Sequence, residues 1–208
     1  MHGIAVLDAG GQYCHLLARR VREVGVQSHV LPIDTGADQL VGIGGIIISG
    51  GPRSVTEAGS PRVHPSILSM GVPILGICYG HQLLAATMPG GIVKPSYSRE
   101  YGLAKLRLRA GQKGSTTIGD DLFDGVPDGS QVWVSHGDSV EKLPDCFEVL
   151  GATDDCAVAA MVYPARNIYG VQFHPEVTHS EFGQRILENF VRRRRAPVRS
   201  AQIGRAHV

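Results

Sequence analysis

The chain has 208 residues, 43% of them hydrophobic, and a formal net charge of +1 at pH 7. This length and hydrophobic content suffice for one large domain with a substantial core, and the near-zero charge argues against a nucleic-acid-binding or acidic-membrane-binding protein. No apolar run approaches the length of a membrane span, and the chain does not begin with the basic and apolar segments of a signal peptide. We therefore expect no nucleic-acid or membrane partner and a cytoplasmic location.

The cysteines are widely separated, without a CxxC pair or the Cys/His spacing of a zinc site. This spacing predicts no metal site. A domain of this size does not need disulfides for stability, so we also expect reduced thiols, as in the cytoplasm. The four cysteines are Cys14, Cys78, Cys146 and Cys156.

The first part of the chain alternates predicted strands with predicted helices. "GIAVLDAG" predicts a strand, and "HLLARRVREVG" behind it has helical spacing. "GGIIISGG" is apolar on both faces, as a buried parallel strand should be. Strands that alternate with helices favour a parallel α/β sheet with right-handed crossovers. The other elements predicted here are strands in "VQSHVLPI" and "VPILGIC" and a short helix that ends at Gly71.

The pattern changes after Gly91, where segments typical of strands and turns continue to about Val171. In "AKLRLRA" apolar and charged residues alternate, which predicts a strand with one solvent-exposed face. A final helix is predicted in "SEFGQRILENFVRR", whose apolar residues form one stripe. The predicted fold is therefore an open, mostly parallel α/β sheet flanked by helices, with an appended antiparallel β layer.

The stretch "GICYG" places Cys78 between two glycines where an apolar strand stops. The pattern G-x-nucleophile-x-G is typical of a tight strand-to-helix turn that leaves its central side chain exposed and strained. A helix that begins near Tyr79 would direct its N-terminal N–H groups at the sulfur and favour the reactive thiolate. Taken alone, the pattern fits a nucleophile and a small buried cysteine equally well.

"YGVQFHPEV" supplies the other groups that a cysteine nucleophile needs, a histidine that moves protons and a carboxylate that orients it. His174 and Glu176 are two residues apart, and a strand that continued through them would place both side chains on one face. We therefore predict a triad of Cys78, His174 and Glu176. His81, just after this strand-to-helix turn (the elbow), is interpreted as a packed or solvated residue rather than a second base.

Together "GICYGHQ" and "FHPEV" resemble the class I glutamine amidotransferases that use a Cys-His-Glu triad. "LDAGGQYCHLLARRVRE", "ISGGPRSV" and "VWVSHGDSV" make the chain similar, within that class, to the amidotransferase domain of glutamine-hydrolysing GMP synthases. The resemblance extends from about Ile4 to Arg193, with the motifs in the family's order.

The resemblance implies a role for each matching residue around the nucleophile. Cys78 would form a γ-glutamyl thioester, His174 would act as the base that activates water, and Glu176 would complete the triad. The backbone N–H groups of Gly51 and Tyr79 would form the oxyanion hole, in which each donor is worth roughly 2.7–4 kcal/mol in the transition state.

The resemblance also implies where glutamine binds. Gln82 matches the side chain that holds the substrate, and a loop formed by "SHGD" matches the one that lines its α-amino and carboxylate end. An alternative for two residues of this loop, His136 and Asp138, is that they face a partner. The loop consists of Ser135, His136, Gly137 and Asp138.

A partner is implied as well. In these synthases a second module uses ATP and Mg²⁺ to activate XMP, and ammonia from glutamine aminates it to GMP. No glycine- and serine-rich pyrophosphate loop of that module is visible in this sequence. We therefore expect no cofactor in this chain, and we expect its partner to be a synthetase domain or subunit.

Residues 1–195 are interpreted as one amidotransferase domain and residues 196–208 as an unstructured tail. One DNA encoding of residues 203–208 plus a stop codon resembles a sequencing-library adapter, so we interpret this hexapeptide as an artefact. On this interpretation a truncated synthase is favoured over a stand-alone glutaminase subunit.

Two alternatives stay open on the sequence alone. One is the amidotransferase subunit of another synthase, of the anthranilate or carbamoyl phosphate type, against which "SHGDSV" weighs. The other is a non-catalytic module that binds glutamine or a partner protein, against which the intact set of Cys78, His174 and Glu176 weighs.

Overall fold

The computed structural model describes residues 2–109 and 120–193, so the tail interpreted above, residues 196–208, lies outside the described residues. None of the helices in this described part has the length and hydropathy of a membrane-spanning segment. The strands are β1 (Ile4–Asp8), β2 (Ser28–Pro32), β3 (Gly45–Ile48), β4 (Ile74–Ile77), β5 (Ile92–Leu108), β6 (Ser130–Lys142), β7 (Glu148–Ala152), β8 (Ala160–Tyr163) and β9 (Ile168–Val171), and the α-helices are α1 (Cys14–Glu23), α2 (Tyr79–Thr87) and α3 (Gly183–Arg193).

The strands of the described residues form one mixed sheet, in the order β2-β1-β3-β4-β9-β8-β7-β5-β6. The first five strands in this order run parallel, and from β9 to β6 each neighbour is antiparallel. The predicted fold class is confirmed. The antiparallel strands extend the parallel sheet itself rather than lying over it, because β8 pairs directly with β9.

Alternate residues of the parallel strands enter two hydrophobic cores, one on each face of the sheet. Ile47 belongs to the core that includes residues of α1 and α3, whereas Ile46 and Ile48 belong to the core that includes residues of α2. Each fully buried side chain of this size contributes about 1.5–3 kcal/mol. Helices on both faces explain why "GGIIISGG" is apolar throughout.

The carboxyl ends of β1, β3, β4 and β9 meet at one edge of the sheet because these strands run parallel and lie side by side. In open α/β sheets this edge is where ligands bind. The loops that leave it carry Gly50 and Gly51 after β3, Cys78 after β4 and His174 after β9.

Candidate active site

Cys78 lies between the end of β4 and the start of α2, with φ of 49° and ψ of −102°. Such a conformation costs a residue with a side chain about 1–3 kcal/mol. The turn is tight on both sides. A Cβ on Gly76 would lie 2.5 Å from the Gly80 carbonyl oxygen, and a Cβ on Gly80 would lie 2.4 Å from the Ile48 carbonyl oxygen. The glycines of "GICYG" are therefore required by packing, and the predicted strand-to-helix elbow is confirmed.

His174 and Glu176 form a buried pair, with 2.7 Å between His174 Nδ1 and Glu176 Oε1. The strand alternation used to predict this contact was wrong, because β9 ends at Val171. Hydrogen bonds from other segments hold the turn instead, including one from the His174 backbone N–H to the Trp133 carbonyl oxygen over 2.9 Å. Ser180 Oγ donates to the His174 carbonyl oxygen over 2.6 Å, and Arg20 Nε donates to the Glu176 carbonyl oxygen over 3.0 Å.

The environment of His174 favours its protonated form. Burial by itself lowers the pKa of His174, but hydrogen bonding and charge from Cys78 and Glu176 outweigh burial and raise that pKa to about 10. Since Nδ1 is occupied by Glu176, Nε2 is the nitrogen left for Cys78. This is the arrangement that a thiolate–imidazolium pair requires.

A cavity of about 750 Å³ opens above Cys78. Tyr79 is the one predicted site residue that does not line it: its ring is buried, and its hydroxyl donates to the Pro61 carbonyl oxygen over 2.5 Å. The role predicted for Tyr79 uses only its backbone N–H, which opens α2 and so has no acceptor within the helix. The predicted residues that line the cavity are Gly51, Cys78, Gln82, Ser135, His136, Gly137, Asp138, His174 and Glu176.

Gly50, which the sequence did not single out, contacts the triad more closely than Gly51 does. A Cβ on Gly50 would lie 2.9 Å from His174 Cε1 and 3.6 Å from the Cys78 Cβ. A Cβ on Gly51 would instead lie 2.6 Å from the Ala9 carbonyl oxygen. The stretch "ISGGPRSV" contains both glycines, but the family resemblance pointed to Gly51 alone.

Gln82 projects from α2 and bonds to two other elements. Its Nε2 lies 2.8 Å from the Asp138 carbonyl oxygen in β6 and 3.2 Å from Gln172 Oε1, just after β9. Gln172 was not predicted as a site residue, although it lies within the quoted "YGVQFHPEV". Contact of Gln82 with glutamine stays a prediction.

The four residues of "SHGD" lie in strand β6 rather than in a loop, and Ser135, His136 and Asp138 pair with β5 across an irregular register. His136 is buried there, and both of its ring nitrogens are occupied: Nε2 lies 2.9 Å from Glu100 Oε2 and Nδ1 lies 3.0 Å from the Asp138 carbonyl oxygen. No sequence signal pointed to Glu100, which is 36 residues from its partner. Glutamine binding by this segment stays a prediction.

Glu100, His136 and Cys156 bring an oxygen, a nitrogen and a sulfur within 4.8 Å of one another, the spacing of a metal-ligand set. Both Glu100 oxygens are already engaged, Oε1 by Thr153 Oγ1 over 2.7 Å and Oε2 by His136. Burial, reinforced by the Glu100 charge, raises the pKa of Cys156 to about 12, which keeps the thiol protonated. The hydrogen bonds that Glu100 makes with His136 and Thr153 make this cluster a buried hydrogen-bond network.

Two further side chains near Cys78, those of Cys14 and His81, are held in their neutral forms. Cys14 lines the cavity, but burial and the Asp8 carboxylate raise the pKa of its thiol to about 12. His81 is fully buried, and burial lowers its pKa to about 3. Among the described residues, neither ring nitrogen of His81 has a hydrogen-bond partner, although the backbone of Gly170 and Val158 lies near enough to moderate that shift. His81 is thus a packed neutral residue, the first of the two alternatives that the sequence left open.

The family model named glutamine amidotransferase class-I matches residues 5–193. This chain belongs to the class-I glutamine amidotransferase family. The membership expected from "GICYGHQ" and "FHPEV" is therefore confirmed.

Curated relatives within this family carry the name GMP synthase (glutamine-hydrolyzing). The chain is 48% identical over 190 residues to the one from Syntrophomonas wolfei, an alignment that covers 90% of this chain and 36% of that protein. It is 47% identical over 190 residues to the one from Caldicellulosiruptor saccharolyticus, with 90% and 35% covered. The chain thus spans about a third of the length of these relatives.

Solved structures agree on the fold. A protein from Thermoplasma acidophilum, described as a candidate subunit of GMP synthase, superposes with a TM-score of 0.77 at 31% identity and covers 92% of both chains. A glutamine amidotransferase from Thermotoga maritima superposes with a TM-score of 0.69 at 18% identity, covering 93% of this chain and 97% of that one. The second likeness shows the fold alone.

Proposed function

We propose that this chain hydrolyses glutamine to glutamate and ammonia as the glutaminase module of a GMP synthase. The observation that carries the proposal is the set of Cys78, His174 and Glu176 at one cavity, with Cys78 on a strained elbow. The names of the relatives favour a GMP synthase over the anthranilate or carbamoyl phosphate type. The complete triad favours an enzyme over a binding module.

In the first half-reaction the Cys78 sulfur attacks the side-chain carbonyl carbon of glutamine, and a C–S bond forms as the carbonyl becomes an oxyanion. His174 Nε2–H gives its proton to the amide nitrogen, the C–N bond breaks, and ammonia leaves. A γ-glutamyl thioester remains on Cys78. Glu176 keeps the His174 ring oriented through the 2.7 Å contact with Nδ1.

In the second half-reaction neutral His174 takes a proton from water as the water oxygen attacks the thioester. Collapse of the new oxyanion breaks the C–S bond, releases glutamate and restores the thiolate with protonated His174. The proposed oxyanion donors in both halves are the backbone N–H groups of Gly51 and Tyr79. These groups lie at the β3 turn and the α2 N-terminus, which flank Cys78.

The ammonia would be consumed elsewhere in the complete synthase. We propose that a synthetase domain or subunit uses it to aminate XMP to GMP with ATP and Mg²⁺, so that this chain needs no cofactor. The length of the relatives beyond the matched third supports such a partner. The free thiols of all four cysteines support a reducing, cytoplasmic setting.

The test is release of glutamate from glutamine by the purified chain, alone and with the synthetase part of a GMP synthase relative. Cys78→Ala is the control, because it removes the nucleophile. We expect release that depends on Cys78 and increases with the partner. Absence of Cys78-dependent release under both conditions would overturn the proposal and favour the binding module.

A further inference from the structure

The carboxamide of Gln82 has only one orientation that satisfies its neighbours. The atom 2.8 Å from the Asp138 carbonyl oxygen must be the nitrogen, because a backbone carbonyl can only accept a hydrogen bond. That same nitrogen lies 3.2 Å from a side-chain atom of Gln172, which must therefore be the Gln172 oxygen. Two acceptors fix Nε2, and the other end of the amide, Oε1, is left for the cavity that Gln82 lines.

The first acceptor, the Asp138 carbonyl, is itself held in place. His136 Nδ1 lies 3.0 Å from this carbonyl oxygen and donates to it, so that the carbonyl receives bonds from both His136 and Gln82. His136 is in turn anchored to the buried Glu100, 2.9 Å from Nε2, and Glu100 to Thr153. The antiparallel half of the sheet therefore supplies a rigid contact to α2.

The second acceptor, Gln172, is buried with 1% of its surface exposed, and its backbone N–H donates to the Ala159 carbonyl oxygen over 2.8 Å. Among the described residues nothing accepts a hydrogen bond from its side-chain Nε2. An unpaired buried donor destabilises a fold, and an apolar side chain of the same shape would avoid that cost. Packing alone thus does not account for a glutamine here, whereas an acceptor for Gln82 does.

We propose that Gln172 is a positioning residue for glutamine binding: its Oε1 and the Asp138 carbonyl together hold the Gln82 amide so that Gln82 Oε1 faces the substrate as an acceptor. This inference rests on the proposed function, since the ligand that meets Oε1 is glutamine. Without the Gln172 acceptor, Gln82 Nε2 keeps only its hydrogen bond to the Asp138 carbonyl oxygen. The amide then rotates among several orientations, and only a fraction of them present Oε1 to the substrate. Glutamine then binds with the affinity reduced by that fraction.

A matched pair of variants separates the acceptor from the shape of the side chain. Gln172→Met keeps the length of Gln172 and removes the oxygen, whereas Gln172→Glu keeps an oxygen acceptor in either ionisation state. We expect Gln172→Met to raise KM for glutamine about tenfold, the worth of one hydrogen bond, with kcat changed less than about twofold. Gln172→Glu restores KM to within about threefold of wild type.

The outcomes distinguish this inference from the proposed function. Equal KM values in Gln172→Met and wild type, or equal increases in both variants, would overturn the positioning role while wild-type hydrolysis upholds the glutaminase. A fall in kcat without a change in KM would also overturn it, because the residue would then act on the triad. If the wild-type chain neither binds nor hydrolyses glutamine, the proposed function fails and the substrate part of the inference fails with it.

A measurement without substrate checks the contact directly. Hydrogen exchange of the Gln82 side-chain amide, followed by NMR, is slow when both acceptors hold Nε2. We expect protection in wild type and Gln172→Glu and faster exchange in Gln172→Met, with the folded spectrum retained in all three. The same exchange rate in Gln172→Met as in wild type would contradict the restraint independently of catalysis.

Discussion

Gly50 and His174 are in direct contact, because a Cβ on Gly50 would lie only 2.9 Å from His174 Cε1. The turn after β3 therefore supports the imidazole on one side. Glu176 holds Nδ1, and the ring of Tyr13 meets the imidazole edge-on, with 5.5 Å between centroids. The imidazole is thus positioned by three separate segments that converge at one edge of the sheet.

Gly50→Ala tests this contact. Gly50 is not among the glycines with positive φ, so alanine fits the backbone and its methyl group presses only on the ring of His174. We expect kcat to fall about tenfold to a hundredfold, since small displacements of a reacting group are costly. The melting temperature serves as the control and should change little. Unchanged kcat would show that His174 does not depend on this contact.

Glu176→Gln should move the pH profile in a defined direction. The Glu176 carboxylate helps to raise the pKa of His174 to about 10, so its removal lowers that pKa. The alkaline limb of the pH profile of kcat/KM reports the pKa of the essential acid in the free enzyme. We expect this limb near pH 10 in wild type and at lower pH in Glu176→Gln. An alkaline limb at the same pH in both proteins would mean that another group controls it.

The raised pKa of His174 also makes the free energy of unfolding depend on pH. With an ordinary value of 6.5 in the unfolded chain and about 10 in the folded one, protonated His174 stabilises fully below pH 6.5, and this contribution is lost as pH rises toward 10. In Cys78→Ala the pKa of His174 falls, so the loss occurs at lower pH. Denaturant titrations across this window measure it, and His174→Gln, which lacks the contribution, is the control. Identical pH profiles for wild type and Cys78→Ala would contradict the coupling.

Arg19 and Arg20 form a natural pair for testing the turn at Glu176. Each arginine bonds Glu23 at 3.0 Å, but only Arg20 also donates to the Glu176 carbonyl oxygen. We expect Arg20→Met to reduce kcat about tenfold, because loss of this hydrogen bond releases the turn that carries Glu176 and small displacements of catalytic groups are costly. Arg19→Met loses only an exposed ion pair and should leave kcat unchanged. Equal effects would assign the change to helix α1 as a whole.

Glu100→Gln and Glu141→Gln compare a buried carboxylate with an exposed one. Glu100 is buried against His136 and Thr153, and we expect its replacement to lower the free energy of unfolding by about 3 kcal/mol. Glu141 is half exposed beside Lys94, and its replacement should lower the free energy of unfolding by less than about 1 kcal/mol. Urea denaturation provides both values. A small effect at Glu100 would show that the network does not stabilise the sheet.

Local patterns were enough to predict the parallel half of the sheet and the contact between His174 and Glu176. "GICYG" predicted the elbow because tight packing excludes side chains at Gly76 and Gly80, and the sequence shows this requirement directly as two glycines. "FHPEV" predicted the His174–Glu176 contact for the wrong reason, since a turn rather than a strand brings the two side chains together. Two residues so close in sequence can come into contact in a strand or in a turn, so the predicted contact is present although the predicted strand is not.

The supporting shell of the site could not be predicted in this way. Glu100 meets His136 only because β5 and β6 pair with a register shift between Pro95 and Glu100, and no short motif encodes that register. Gln172 contacts Gln82 because β9 lies beside β4 in the sheet. The two residues are 90 positions apart in the sequence. Contacts of this kind depend on the topology of the sheet, which sequence periodicity leaves open.

The most direct test of Cys78 as the nucleophile is to identify by mass spectrometry which cysteine a glutamine-mimicking diazoketone alkylates. We expect a single label on Cys78, which excess glutamine prevents. Cys14 lines the same cavity and serves as the internal control, because its thiol, with a pKa of about 12, stays protonated. A label on Cys14, or an unlabelled Cys78, would contradict the claim that Cys78 is the nucleophile of a glutaminase.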